Sequence, residues 1–236
     1  MSEEIYRNTI DWDEYWDEAD EAVRADTSPS ANLVQAPFLE FLGAQFPDGP
    51  DSYADVGCGP GDLVFEVASQ YPDATAVGYD SATAVLTENR ERAHEQNMDC
   101  SFEQALLPEF DPGRKFDVVS CLFTLCYIAD IESALETLYD AVEPGGYLVV
   151  HYHNQLAQSH FSTIAQSPHE YLDEDSVWNP ETFTDRFELV IEGQSLLSYE
   201  RIHEVLGSWP QSLFSVADSV DPYPAHRHEP LVYVPK

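Results

Sequence analysis

The stretch that decides the fold is 52-SYADVGCGPGDLVFEVA-68, which sets three glycines and a proline between two apolar runs. The first run, "YADVG", reads as a buried strand. In the second, "DLVFEVASQY", Leu63, Val64, Val67, Ala68 and Tyr71 recur at helical spacing on one side. A strand, a bare loop and a helix in that order open a layered α/β sheet. Gly57, Gly59 and Gly61 leave the loop backbone uncovered, so a ligand at the carboxyl end of the strand meets no Cβ there.

Downstream the alternation continues. "ATAVGYD" is an expected strand, "ATAVLTENRERAHEQ" a helix and "CSFEQA" a short strand. "FDVVSCLF" and "YLVVHYH" are continuous apolar runs, as strands covered on both faces are. Between them "IESALETLYDAV" is an expected helix, ended by "EPGG". Strand and helix in turn imply a mostly parallel sheet with helices on both faces. Past His153 the pattern loosens. "RFELVIEG" is expected to be a strand, "SYERIHEVLG" a helix capped by Ser198 and stopped by Gly207, and "EPLVYVP" a last strand. Ahead of the glycines, residues 11–26 form an expected amphipathic helix with Trp12, Tyr15, Trp16, Ala19 and Val23 on one face. "NLVQAPFLEFLGAQF" is a second helix, interrupted or begun near Pro37.

Two ligand classes compete for such a loop. A dinucleotide fingerprint, Gly-x-Gly-x-x-Gly, brings a pyrophosphate to the helix start. Here its third position falls on Asp62, a carboxylate where the pyrophosphate would lie. Glycines at 57, 59 and 61 behind Asp55 suit a ligand with no phosphate and a positive end.

"DVGCGPG" with "GYD" downstream resembles the class I S-adenosylmethionine-dependent methyltransferases, and so does "FDVVSCLFTLCYIADIESALETLYDAVEPGGYLVV". The likeness covers roughly residues 50–153; "IDWDEYWDEAD" is similar to the cap helix ahead of that core. The resemblance implies a Rossmann-like seven-stranded, mostly parallel sheet with an antiparallel final strand. It divides the one domain into a helical cap (1–48), a cofactor-binding core (49–153) and the last strands with acceptor-side helices (154–236). It implies S-adenosyl-L-methionine as cofactor, with the backbone of Gly57, Cys58 and Gly59 at its amino and carboxylate groups and Asp55 near the ammonium. Gly61 completes the loop, Asp80 would accept both ribose hydroxyls, and Ser81 would follow into the adenosine pocket. Glu103 and Gln104 end the third strand, where relatives often set an acid against the adenine amino group; Glu103 reads equally as a solvated surface residue. Cys121 and Leu122 would flank the cofactor, or simply fill core. Trp16, with Trp12, is a candidate to cover the sulfonium by cation–π contact, or is core at helical spacing.

Methyl transfer needs a general base only when the acceptor must lose a proton. His151 and His153 share one face of the fifth strand and are the candidate bases; they read alternatively as packed against the sheet. A His-x-His metal site lacks an indicated third ligand, so no metal is expected. Phe123 and Tyr127 are expected acceptor-pocket walls, with Asn154 beside them. Many relatives carry histidine where Cys126 stands, and this departure puts in doubt a histidine mechanism borrowed from that loop. The expected partner is a small-molecule methyl acceptor. Two rivals remain: a protein that binds the cofactor as a regulatory ligand without turnover, and a nicotinamide-dependent oxidoreductase.

The chain has 236 residues, with 44 acidic against 10 basic side chains and a formal net charge of −34. The acids are dispersed along the chain, as in proteins of salt-loving archaea, where a Debye length of about 3 Å near 1 M salt screens self-repulsion. No basic stripe is present, which argues against a nucleic-acid partner. No apolar run reaches the roughly 20 residues of a membrane span. The acidic first residues lack a secretory apolar core, so a cytoplasmic location is expected. Cys58, Cys100, Cys121 and Cys126 form no Cys-x-x-Cys pair and are expected to be reduced thiols.

Overall fold

The structure, a computed structural model, describes residues 11–18, 34–172, 176, 178–216 and 229–236. Helix α1 (Trp12–Glu18) and helix α2 (Gln35–Gln45) precede the sheet. Then follow β1 (Ser52–Val56), α3 (Asp62–Gln70), β2 (Thr75–Asp80), α4 (Thr83–Gln96) and β3 (Cys100–Gln104). Next come β4 (Phe116–Cys121), a 3₁₀ turn (Leu125–Tyr127), α5 (Ile131–Asp140) and β5 (Val142–His151). The chain continues through α6 (Gln155–Gln166), α7 (Pro168–Tyr171), α8 (Phe183–Arg186), α9 (Glu188–Ile191) and α10 (Tyr199–Leu206). It ends with β6 (Gln211–Ser212), a second 3₁₀ turn (Leu213–Ser215) and β7 (Leu231–Pro235).

The seven strands lie in the order β3-β2-β1-β4-β5-β7-β6. Neighbours from β3 to β5 pair in parallel, and β7 runs antiparallel to β5 and β6. This is the Rossmann-like sheet with an antiparallel last strand that the alternation and the resemblance implied. One face is sealed by Phe38, Phe41 and Leu42 of α2, Leu63, Val64 and Val67 of α3, and Val85 and Leu86 of α4. The other is sealed by Ile131, Leu135 and Leu138 of α5 and Ile202 of α10. Each such side chain contributes roughly 1.5–3 kcal/mol when fully buried. A third cluster, with Phe161, Ile164, Phe183, Phe187 and Val190, joins α6, α8 and α9 beside the sheet.

Three local readings change. "RFELVIEG" is not a strand: Phe183–Arg186 and Glu188–Ile191 are two helical turns joined at Phe187, and their apolar residues face the third cluster. "EPGG" lies inside β5, which begins at Val142. A Cβ on Gly146 would run into the Asp117 backbone carbonyl, so glycine there permits the close approach of the paired strands β4 and β5. Helix α6 gives a place to one of the acceptor-side helices expected after His153, where the sequence reading assigned no bounds, although Asn154 caps it and Ala157, Phe161 and Ile164 recur at helical spacing. Helix α10 matches its expected bounds: Ser198 accepts from the Arg201 N–H and Gly207 ends it in the left-handed conformation. Ala19 and Val23 of the first expected helix lie outside the described residues.

Candidate functional site

Strand β1 lies between β2 and β4, so the chain reverses its winding beside β1. Open α/β sheets bind ligands in the crevice at such a switch point. The register places the site residues on one face. Asp55 pairs with Gly78 and Ser120, and Ser120 with Val149. With a period of two, Asp80, Leu122 and His151 then follow on the same side.

Asp55 and Asp80 are 5% and 8% exposed. Ser120 Oγ donates to Asp55 Oδ1 at 2.6 Å and shares a 2.8 Å hydrogen bond with Tyr53 Oη. Burial pushes the Asp55 carboxyl up to about 7, against the Ser120 hydrogen bond and reinforced by Asp80. Asp80 accepts the Gly59 N–H at 2.9 Å and the Ala82 N–H at 3.0 Å. Burial raises its carboxyl too, while those N–H groups hold it down. Among the described residues, neither carboxylate has a cation within ion-pair distance. Two buried carboxylates with no counter-ion are costly to fold around.

The glycine loop wraps tightly between these groups. Gly57 has φ +78, and a Cβ there would collide with the Thr124 side chain. The N–H groups expected at the ligand have other partners. Those of Gly57 and Cys58 both donate to the Tyr79 carbonyl, at 2.7 and 2.9 Å, and that of Gly59 to Asp80. Asn89 Nδ2 donates to the Gly59 carbonyl at 2.7 Å. The loop therefore offers bare Cα surface and a fixed shape. Trp16, 5% exposed, lies 3.3 Å from where a Gly59 Cβ would be. Helix α1 is held there by Asp13, whose Oδ1 accepts from the Thr83 N–H at 2.6 Å and the Ala84 N–H at 3.1 Å, at the start of α4.

Around the adenosine side, Gln104 pairs in register with Asp80, and its Nε2 donates to the Ser81 carbonyl at 2.9 Å. That bond shapes the turn after β2. Glu103 pairs with Tyr79, faces away from Asp80 and is exposed, in line with its solvated reading. Cys121 is a correction. It is fully buried on the opposite face, in the cluster under α5, because β4 alternates sides; Leu122 keeps the Asp55 face. Cys58 is buried, with its Sγ 3.7 Å from the Gly59 carbonyl oxygen.

On the acceptor side, Phe123 holds φ +56, a strained value for a side chain of that size, and stacks 3.9 Å from the His151 ring. His151 and His153 are 2% and 4% exposed. Antiparallel pairing of His151 with Leu231 sets Glu229 opposite His153. The Glu229 carboxylate lies 3.3 Å from His153 Nε2 and 3.7 Å from His151 Nε2. Glu229 escaped the sequence reading; counting the antiparallel register back from "LVYVP" would have found it. Burial lowers the His151 pKa and outweighs Glu229. For His153, burial is overcome by Cys126 and Glu229, which carry it up to about 9. Despite its own burial, the two imidazoles hold Glu229 well below the usual carboxylate range. Asn154 serves the fold, since its side chain accepts from the Leu156 and Ala157 N–H groups and caps α6. Tyr127 Oη accepts from Arg186 Nε at 3.0 Å, and its ring meets Trp12 at 4.7 Å. No group of His, Cys, Asp and Glu able to hold a metal ion occurs among the described residues. Nor is any described helix long and apolar enough to cross a membrane.

Residues 54–148 match the family model described as a methyltransferase domain. That stretch, from β1 into β5, is therefore similar to a methyltransferase domain, and it lies on a Rossmann-like sheet. Among curated relatives, the trans-aconitate 2-methyltransferase of Methylobacterium radiotolerans is 30% identical over 132 residues, covering 56% of this chain and 46% of its own. The demethylmenaquinone methyltransferase of Thermus thermophilus is 36% identical over 103 residues, covering 43% and 46%. The chain spans about half the length of the curated relatives it matches. In fold it is similar to the plantazolicin methyltransferase BamL, solved with a triazolic desmethylPZN analog and SAH: TM-score 0.62, 15% identity, 98% of this chain and 96% of that one.

Proposed function

We propose that the chain transfers a methyl group from S-adenosylmethionine to a small-molecule acceptor. The observation that carries this reading is the pair of buried, cation-free carboxylates, Asp55 and Asp80, on either side of a side-chain-free loop at the switch point. A nucleoside with a cationic amino-acid tail and no phosphate meets both. Asp80 would take the ribose hydroxyls with the lone pairs that Gly59 and Ala82 leave, and Asp55 would lie near the ammonium. Gly57, Cys58, Gly59 and Gly61 give these groups room, Ser81, Gln104 and Leu122 border the nucleoside, and Trp16 closes over the loop. A dinucleotide fits worse, since a pyrophosphate would approach two buried carboxylates.

When bound, the cofactor supplies an electrophilic methyl group on a sulfonium sulfur. The chain's own share is alignment, desolvation and, for a protic acceptor, removal of one proton. His151 is the better-placed base. Burial keeps its imidazole neutral, and neither of its ring nitrogens has a hydrogen-bond partner, whereas on His153 only Nδ1 is without one. His153 instead pairs with Glu229 and positions that carboxylate. Phe123 and Tyr127 wall the acceptor space. The dispersed charge of −34 supports a working environment of high salt, inside the cell.

Incubating the protein with S-adenosylmethionine and a fractionated metabolite extract is expected to release S-adenosylhomocysteine in an extract-dependent manner. Tight cofactor binding with no release in any fraction would make the chain a cofactor-binding protein without turnover.

A further inference from the structure

Arg186 ends the short helix α8, and its surroundings are unusual for a cation in this chain. Its guanidinium carbon lies 5.7 Å from the Trp12 ring centroid, 5.5 Å from Tyr15, 5.8 Å from Tyr127 and 5.4 Å from Phe187. Nε donates to Tyr127 Oη. Three other cations find acids: Arg92 pairs with Asp62 at 2.9 Å, Arg201 with Glu132 and Glu204, and Lys236 with Asp140 at 3.5 Å; Arg90 instead donates to the Phe102 carbonyl and Arg114 lies 4.8 Å from the Phe116 ring. Arg186 has no carboxylate within ion-pair distance among the described residues, although the chain carries 44 acids. Arg186 is half-buried, and taking part of a cation out of water without a counter-ion is unfavourable.

The rings do not compensate as one close stack would. Phe65 lies 4.0 Å from the Arg92 guanidinium, whereas all four rings around Arg186 stand near the ~6 Å limit of cation–π attraction. The terminal Nη donors meet no acceptor among the described residues. An unspent guanidinium fork matches a carboxylate bidentately. Its place also fits an acceptor subsite. Trp12 and Tyr15 belong to α1, whose Trp16 covers the glycine loop. Tyr127 belongs to the segment after β4, whose Phe123 stacks on His151.

We infer that Arg186 anchors a carboxylate of the methyl acceptor, so that the acceptor is a small organic acid held in a subsite walled by Trp12, Tyr15, Tyr127 and Phe187. The inference rests on the methyltransferase reading for what is done to that acid, but not for its binding. A merely structural tie between α1 and α8 would use the same ring contacts and leave acid binding independent of Arg186.

Succinate, glutarate and citrate, with succinamide as the neutral control, are titrated into folded protein in concentrated KCl, with and without S-adenosylhomocysteine. Tryptophan fluorescence reports binding. At least one acid is expected to saturate the signal. Arg186→Gln weakens it at least tenfold, Arg186→Lys weakens it less, and succinamide gives no response. In turnover with labelled cofactor, Arg186→Gln raises KM for that acid with a smaller change in kcat. If no acid binds, if succinamide binds as well, or if Arg186→Gln binds acids like the parent, the inference is overturned. Acid binding that depends on Arg186 in a protein without affinity for S-adenosylhomocysteine would keep the subsite and overturn the methyltransferase reading. The reverse pattern, cofactor binding without acid binding, would overturn the subsite alone.

Discussion

Glu229 faces two imidazoles whose pKa values shift in opposite directions, and its geometry divides them: His153 is the nearer at 3.3 Å, and His151 lies at 3.7 Å. His153 has a folded pKa of about 9, above its ordinary 6.5, because Cys126 and then Glu229 outweigh its burial, so these contacts together stabilise the fold fully below pH 6.5. That contribution is lost as pH rises through about 9. The Glu229 carboxyl is depressed, so its share is present above its ordinary value of 4.5 and lost as pH falls through the lower folded value. His151, lowered by burial, removes stability as pH falls below 6.5, because the folded chain resists its protonation. Glu229→Gln is therefore expected to destabilise most between about pH 5 and 6.5 and progressively less toward pH 9, read by thermal melts across that range. A difference independent of pH would contradict the pairing. At this scale Asp55, Asp80 and the glycines were legible, because a loop between a strand and a helix carries its chemistry in consecutive residues. Glu229 and Arg186 were not, because each meets its partners through strand register or helix packing across tens of residues.

Elements bring those partners together. Helix α6 carries Phe161, which packs at 5.2 Å from His153 and 4.9 Å from Phe187, and so ties β5 to the acceptor-side helices. Asn154 begins that helix by capping two N–H groups. Asn154→Ala is expected to cost about 1 kcal/mol of stability, read by denaturant unfolding, and Asn154→Ser to restore most of it. A fall in acceptor affinity with no loss of stability would instead assign Asn154 to the substrate, as its sequence position suggested. The elements from β1 to β5 were read correctly in type and order because their apolar runs are long and closely punctuated. The region after His153 was harder. Two four-residue helices leave too little periodicity to separate a helix from a strand, and "RFELVIEG" carries the branched and aromatic residues that strands favour.

For the molecule as a whole, dispersed acidity predicts a dependence of stability on salt. A chain of formal charge −34 repels itself in dilute buffer, and that repulsion is screened as the Debye length falls to about 3 Å near 1 M salt. The melting temperature is expected to rise steeply with KCl and folded signal to fall on dialysis into low salt. Equal stability in both would contradict a high-salt working environment. The central claim is that a carboxylate pair and a bare loop hold a phosphate-free, sulfur-bearing nucleoside, and titration calorimetry in concentrated KCl tests it most directly. S-adenosylhomocysteine should bind saturably to the parent protein and about tenfold or more weakly to Asp80→Asn, as loss of charge-assisted hydrogen bonds requires, while NAD gives no heat. No heat with S-adenosylhomocysteine, or equal affinity in the parent and Asp80→Asn, would contradict the account.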